Sequence, residues 1–242
     1  MGQLELQPWI KRFPGAGRAS VVLFPHAGGA AATYRGFATA LARAGADAYI
    51  VQYPQRAERL THPPAPTLEH LAADLFAAAD WSAVAPLRLF GHCMGALVAF
   101  EFARTAQAQG VPVQQLWASA SDAPSTAAAA PRVPTTDREL LRDVVALGGT
   151  DPRLLADADF IDLLLPSIRA DYQAWNTYAR DADVRIPADI HAVGGTSDAR
   201  VAEPSLRTWA SHTDGAFTFE LFDGEHFYLH QHLDALAARV AA

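Results

Sequence analysis

A single cysteine sits at the centre of Gly91-His92-Cys93-Met94-Gly95. The pentapeptide has the frame of a G-x-S-x-G nucleophile elbow, with sulfur where a hydroxyl is usual. Glycines two positions either side let a strand turn abruptly into a helix, because nothing larger than hydrogen fits there. The central side chain is then held strained and exposed at a helix N-terminus, where the backbone dipole favours negative charge. A free thiol has a pKa of about 8.5, so a sulfur nucleophile needs a base. Attack on a thioester or ester carbonyl also needs N–H donors for the oxyanion that forms. The implied chemistry is acyl transfer. The plainer alternative is a glycine-rich turn that happens to hold the cysteine.

The other members of such a site follow in the chain order nucleophile, acid, histidine, each just after a strand. His226 is the best base: it follows an apolar run at 217–222 and the turn Asp223-Gly224-Glu225, and it precedes a helical pattern. His230 and His232 are expected inside that helix, His212 at the end of another and His191 within a strand. His92 neighbours the nucleophile but is expected to point elsewhere. Asp198, on Gly194-Gly195-Thr196-Ser197-Asp198, is the best acid to orient the imidazole and stabilise its charged form. Asp223 is the alternative, too near His226 in sequence to reach the ring easily. The backbone N–H of Met94 is one candidate oxyanion donor. The other is that of Ala27, in the small-residue loop Pro25-His26-Ala27-Gly28-Gly29.

These residues need a scaffold. Strand signals fall at 19–24, 47–53, 87–90, 114–120, 190–193 and 216–222. Helical periodicity falls at 33–44, 68–81, from 96 to the stop at Gly110, 201–211 and 228–240. Thr67 reads as an N-cap with His70, not Glu or Gln, three residues on, so the capping box is incomplete. Alternating strands and helices predict an α/β fold, a mostly parallel sheet covered on both faces. Such sheets bind ligands at the carboxyl ends of their strands, the edge where His26, Cys93, Asp198 and His226 would meet.

Residues 121–134 are rich in Ala, Pro, Ser and Thr and read as a loop. Helical patterns follow at 137–147 and 159–165, break at Pro166 and resume at 167–178. With no strand signal between Ala120 and Ile190, the stretch of about 122–186 is expected to be an inserted helical lid. Phe160, Leu163, Leu164, Ile168, Tyr172 and Trp175 recur on it at roughly helical spacing. By default this stripe is the lid's packing face; in the functional alternative part of it, Leu164 and Ile168, lines an acyl channel.

The chain has 242 residues and a formal net charge of −7, which suits one domain, 1–242, and argues weakly against nucleic acid or anionic membranes as partners. One cysteine forms no internal disulfide, and residues 1–5 carry no basic or apolar leader pattern, so a reducing cytoplasm is expected. No apolar run approaches the ~18 residues of a membrane helix.

Together the motifs resemble the type II thioesterases that work beside nonribosomal peptide and polyketide synthases. The resemblance rests on the loop FPHAGG, the elbow GHCMGALVAFEFAR, the lid stretch LLLPSIRADYQAW, the loop GGTSD and the terminal GEHFYL. It implies an α/β-hydrolase fold with a helical lid, a monomer and no cofactor. It also implies hydrolysis of acyl groups from the phosphopantetheine thiol of an acyl or peptidyl carrier protein. Nucleophile, acid and base fall on Cys93, Asp198 and His226. Two positions depart from the family pattern. Tyr53-Pro54-Gln55-Arg56-Ala57-Glu58-Arg59 lacks the Gly and Glu of YPGRExR, and Cys93 replaces serine. An acyl-serine is an ester, lower in energy than the incoming thioester. An acyl-cysteine is another thioester, equally able to pass the acyl group to a second carrier thiol or an amine. Acyl or aminoacyl transfer is therefore an alternative to hydrolysis. A serine-to-cysteine change made to trap an acyl-enzyme, or a carrier-binding module without catalysis, is a further one.

Overall fold

The strands are β1 (Ile10–Phe13), β2 (Ser20–Phe24), β3 (Asp47–Val51), β4 (Leu87–His92), β5 (Val113–Ser119), β6 (Asp189–Gly195) and β7 (Phe217–Phe222). In the computed structural model they form one sheet in the order β1-β3-β2-β4-β5-β6-β7. The structure describes residues 8–130, 132–149 and 153–242, so the chain start read above for a leader lies outside it. Every pairing is parallel except β1 against β3. β1 has no counterpart in the sequence reading. Its four residues, Ile-Lys-Arg-Phe, give no apolar run. It is an edge strand held by Arg12 to Asp47 at 2.7 Å and Lys11 to Glu58 at 2.6 Å, and charge on an edge discourages pairing with another chain.

The helices are α1 (Arg35–Arg43), α2 (Leu68–Ala77), α3 (Met94–Ala108), α4 (Asp137–Leu147), α5 (Ala158–Asn176), α6 (Glu203–Arg207) and α7 (Leu233–Ala241). One core packs α2 and α3 against the sheet, with Leu71, Leu97, Phe100 and Phe102 in it; a second, on the opposite face, packs α1 and α7 through Phe37, Leu41, Leu236 and Val240. β4 runs between the two cores, which is why its residues are almost all buried.

Several expected helices are shorter than their periodicity. The pattern at 68–81 ends at Ala77, where the Trp81 indole donates to the carbonyls of Phe76 at 3.1 Å and Leu75 at 3.3 Å. Thr67 caps α2, accepting from the His70 N–H at 3.2 Å. The pattern at 33–44 begins as a 3₁₀ turn at Ala31–Tyr34, and that at 201–211 finishes as one at Thr208–His212. The pattern at 228–240 divides into a 3₁₀ turn, Tyr228–Gln231, and α7, because the His232 ring donates to the Asp223 carbonyl at 2.7 Å. His230 therefore lies in the turn and His232 at the junction, not inside one helix. Conversely, Pro166 does not break α5, which runs unbroken through it. The carbonyl freed by the missing N–H is that of Asp162, and both residues are exposed, so water can satisfy it.

α4 and α5 lie between β5 and β6, where no named strand occurs among the described residues. β5 and β6 nevertheless stay paired up to Ser119 opposite Val193, and the Ala120 N–H donates to the Val193 carbonyl at 2.8 Å. The helical insertion thus leaves the sheet intact. Among the described residues no helix is long and apolar enough to cross a membrane.

Candidate active site

β4 delivers Cys93 to the carboxyl edge of the sheet. Cys93 has φ 56° and ψ −127°, a strained conformation for a residue with a side chain. Both flanking glycines are required. A Cβ on Gly91 would lie 2.3 Å from the Gly95 carbonyl oxygen, and one on Gly95 would lie 2.1 Å from the Phe24 carbonyl oxygen. The second contact also presses the loop after β2 against the first turn of α3. Cys93 is only 3% exposed, so the expectation of an exposed nucleophile is corrected: the lid residue Tyr172, Arg200, Tyr34 and Tyr53 all lie within electrostatic reach of its sulfur.

His226 and Asp198 meet at the ends of the last two strands. His226 Nδ1 lies 2.9 Å from Asp198 Oδ2, with side chains 3% and 1% exposed. The other carboxylate oxygen accepts from the backbone N–H groups of Arg200 at 2.8 Å and Val201 at 3.2 Å. Burial opposes the charge on Asp198, but the bond from His226 and these N–H groups hold its carboxyl below the ordinary range. Burial likewise opposes a charged His226 ring. The charge of Cys93 and the bond to Asp198 outweigh it and lift the imidazole to about 9. Nε2 of His226 is buried with no nitrogen or oxygen partner, and a hydrogen bond with the Cys93 side chain helps to raise the ring. Asp223, the alternative acid, faces Thr196 at 3.4 Å and does not contact the ring.

Two further histidines belong to this cluster. The His92 ring lies 5.2 Å from that of His226, so it points into the site and not away from it. Its Nδ1 is 2.9 Å from Ser119 Oγ, which is 2.7 Å from the Tyr228 hydroxyl. Strand alternation is the signal that finds it: His92 shares a face of β4 with Phe90, on the side that Tyr228 covers. His26 sits edge-on to Phe227 at 4.8 Å, its Nδ1 2.9 Å from the Tyr34 hydroxyl. Burial and the nearby charges of His226, His230 and Arg56 push His26 down to about 3. Burial and the charge of His226 also hold His92 well below its ordinary value. Near neutrality His226 is therefore the charged ring of the three.

Ala27 and Met94 flank this centre. Met94 opens α3, where an N–H has no intrahelical acceptor. Ala27 lies in a turn closed by Gly29 N–H to the His26 carbonyl at 2.9 Å. Beside it is a cavity of about 510 Å³ lined by Ala27, Leu164, Ile168, Tyr172 and Phe227 among others. Ile168 and Tyr172 also pack against Leu140 and Val144 of α4, so the stripe on α5 is both the lid's packing face and a cavity wall. Leu163 reaches the rim and is 56% exposed.

Two ion pairs tie the inserted helices to the sheet edge: Arg56 with Asp171, and Arg200 with Asp143. The altered YPQRAER segment has a physical signature as well. Gln55 and Ala57 stand at φ 64° and 43°, so the pattern's glycine falls at a left-handed position that Gln55 fills at a cost of about 1 kcal/mol. Among the described residues no group of His, Cys, Asp and Glu forms a metal site.

A strained residue between strand and helix, with a buried carboxylate–imidazole pair on the same sheet edge, defines an α/β-hydrolase. Residues 19–242 match the thioesterase domain family, and the chain belongs to it. It is 56% identical over 241 residues to phenyloxazoline synthase MbtB of Mycobacterium tuberculosis, an alignment covering 99% of this chain and 17% of that protein. The chain thus spans about a sixth of the length of the first curated relatives it matches. It is 36% identical to thioesterase PikA5 of Streptomyces venezuelae, over 91% of this chain and 80% of that one. Among solved structures it resembles the type II thioesterase BorB from the borrelidin biosynthetic cluster, with TM-score 0.82, 36% identity and 96% of each chain covered. YbtT, the type II thioesterase of the yersiniabactin pathway, matches with TM-score 0.80 and 27% identity over 96% of each chain.

Proposed function

We propose that this protein hydrolyses acyl or aminoacyl thioesters carried on the phosphopantetheine arm of carrier proteins in a natural-product assembly line. The observation that carries this reading is the buried His226–Asp198 pair, whose ring is raised by the charge of Cys93 and by a hydrogen bond with it. With the Cys93 proton already resting on His226, the sulfur attacks the thioester carbonyl carbon. The oxyanion is held by the N–H groups of Met94 and Ala27. Collapse breaks the bond to the carrier sulfur, which leaves with the proton from His226. Water, deprotonated by His226, then attacks acyl-Cys93, and the acid departs as the proton returns to the cysteine sulfur. Asp198 orients the ring and stabilises its charged form. Leu164 and Ile168 contact the acyl chain in the cavity. No cofactor enters. The protein acts as a monomer in the cytoplasm, where its free cysteine stays reduced.

The sulfur itself favours a second reading, transfer of the acyl group to a second carrier thiol or an amine, because acyl-Cys93 keeps thioester energy. Intact-mass analysis after mixing the protein with an acylated carrier protein separates the outcomes. Free acid with a transient adduct, lost in Cys93→Ala, supports hydrolysis. A persistent adduct discharged by a second carrier or an amine supports transfer. Neither adduct nor release leaves a carrier-binding module without catalysis and overturns the proposal.

A further inference from the structure

The motif segments YPQRAER and RADYQ, which the mechanism leaves unused, meet over the loop after β2. Asp171 of α5 is 8% exposed. One of its carboxylate oxygens, Oδ2, pairs with Arg56 Nη2 and accepts the Gly28 N–H at 2.8 Å. Arg56 is itself fixed by donation from Nη1 to the Pro54 carbonyl at 2.6 Å. Gly28 stands at φ 75°, and a Cβ there would lie 2.3 Å from Ile168 Cγ1. Helix α5 therefore rests directly on the loop.

The loop is a β-turn, His26 to Gly29, closed by the Gly29 N–H. With left-handed backbone at Gly28, its third residue, the turn has type II character. In such a turn the N–H groups of the two central residues are free. Asp171 takes that of Gly28, which leaves that of Ala27 for an oxyanion. The peptide joining Ala27 to Gly28 is also the one that rotates when a type II turn becomes type I, and the bond to Asp171 fixes its plane. A buried ion pair contributes little net stability compared with an apolar replacement, so stability alone does not account for this one.

We propose that Asp171 is a positioning residue for the oxyanion loop, with Arg56 as its counter-charge, so that the oxyanion hole is complete only while α5 lies on the loop. This rests on the thioesterase reading above. An aldehyde such as octanal adds to Cys93 as a tetrahedral thiohemiacetal and needs the oxyanion donors, whereas iodoacetamide alkylates the same sulfur without them. Asp171→Ala is expected to weaken octanal binding at least tenfold and to lower kcat with little change in KM, while the alkylation rate at Cys93 stays within twofold. Asp171→Asn keeps the shape and one acceptor and should fall between. Undiminished octanal affinity in both variants, or alkylation falling in parallel with it, overturns the positioning role. A wild-type protein alkylated at Cys93 that forms no octanal adduct overturns instead the nucleophile-and-hole reading, and this inference with it.

Discussion

Asp198 and His226 are 28 residues apart in the chain, yet their side chains meet at 2.9 Å because they leave the ends of the neighbouring parallel strands β6 and β7. The contact is held from behind as well. A Cβ on Gly195 would lie 2.3 Å from the Glu225 carbonyl oxygen, so the acid loop and the histidine loop press backbone to backbone. Asp198→Asn removes the charge that fixes the imidazole. Hydrolysis should fall about 10³- to 10⁴-fold in kcat with KM little changed, as steady-state assays with an acyl thioester would read.

The lifted His226 ring gives a pH signature. Its value of about 9 stands above the unfolded reference of 6.5. The stabilisation that the sulfur charge and the bond to Asp198 give the charged ring is lost as pH rises through 9. Melting temperature should accordingly decline across that window. In Cys93→Ala the ring loses the sulfur charge, its titration by NMR should move down from about 9, and the decline should flatten. An unmoved titration would show that the sulfur does not act on the ring.

Cys93→Ser tests what sulfur does for the outcome. An acyl-serine is committed to water, so the fraction of product trapped by an added amine should drop severalfold. Equal partitioning in the two proteins would remove the energetic case for transfer.

Gly95→Ala should be severe. The added methyl meets backbone carbonyls of Phe24 and Pro25 that no side-chain rotation can clear, so a loss of about 3 kcal/mol or more is expected from denaturant melts. Gly110→Ala, where nothing lies within 4 Å, should cost only the left-handed backbone penalty of about 1 kcal/mol.

Leu164→Trp fills part of the 510 Å³ cavity. With acyl thioesters of graded length, kcat/KM for a decanoyl chain should fall about tenfold while that for acetyl holds. A uniform loss at every length would place the acyl chain elsewhere.

The placement of the candidate residues is largely legible in sequence, for local reasons. Cys93, Asp198 and His226 each follow an apolar run and a turn, so their chemistry and chain order could be read residue by residue. β4 and α3 were legible because apolar residues there are continuous. The omissions are tertiary. β1 forms only because β3 offers it an edge and Asp47 an anion. The burial of Cys93 involves residues far from it in the chain, Tyr34, Tyr53, Tyr172 and Arg200 among its neighbours, and no local pattern encodes that. Arg56 and Asp171 are 115 residues apart, with nothing in either segment to announce the other. Pro166 reads as a break in sequence, yet α5 tolerates it where the orphaned carbonyl faces water.

The lid is spliced into the chain between two strands that pair with one another regardless of it. Exchange of the whole insert for another of different length would leave the sulfur, ring and carboxylate mounted as they are. The graft would nonetheless have to bring its own acid to residue 28, because the present one arrives on the piece removed. Swapping covers is thus mechanically simple and chemically demanding: a hybrid with an intact sheet could still be idle for want of one carboxylate.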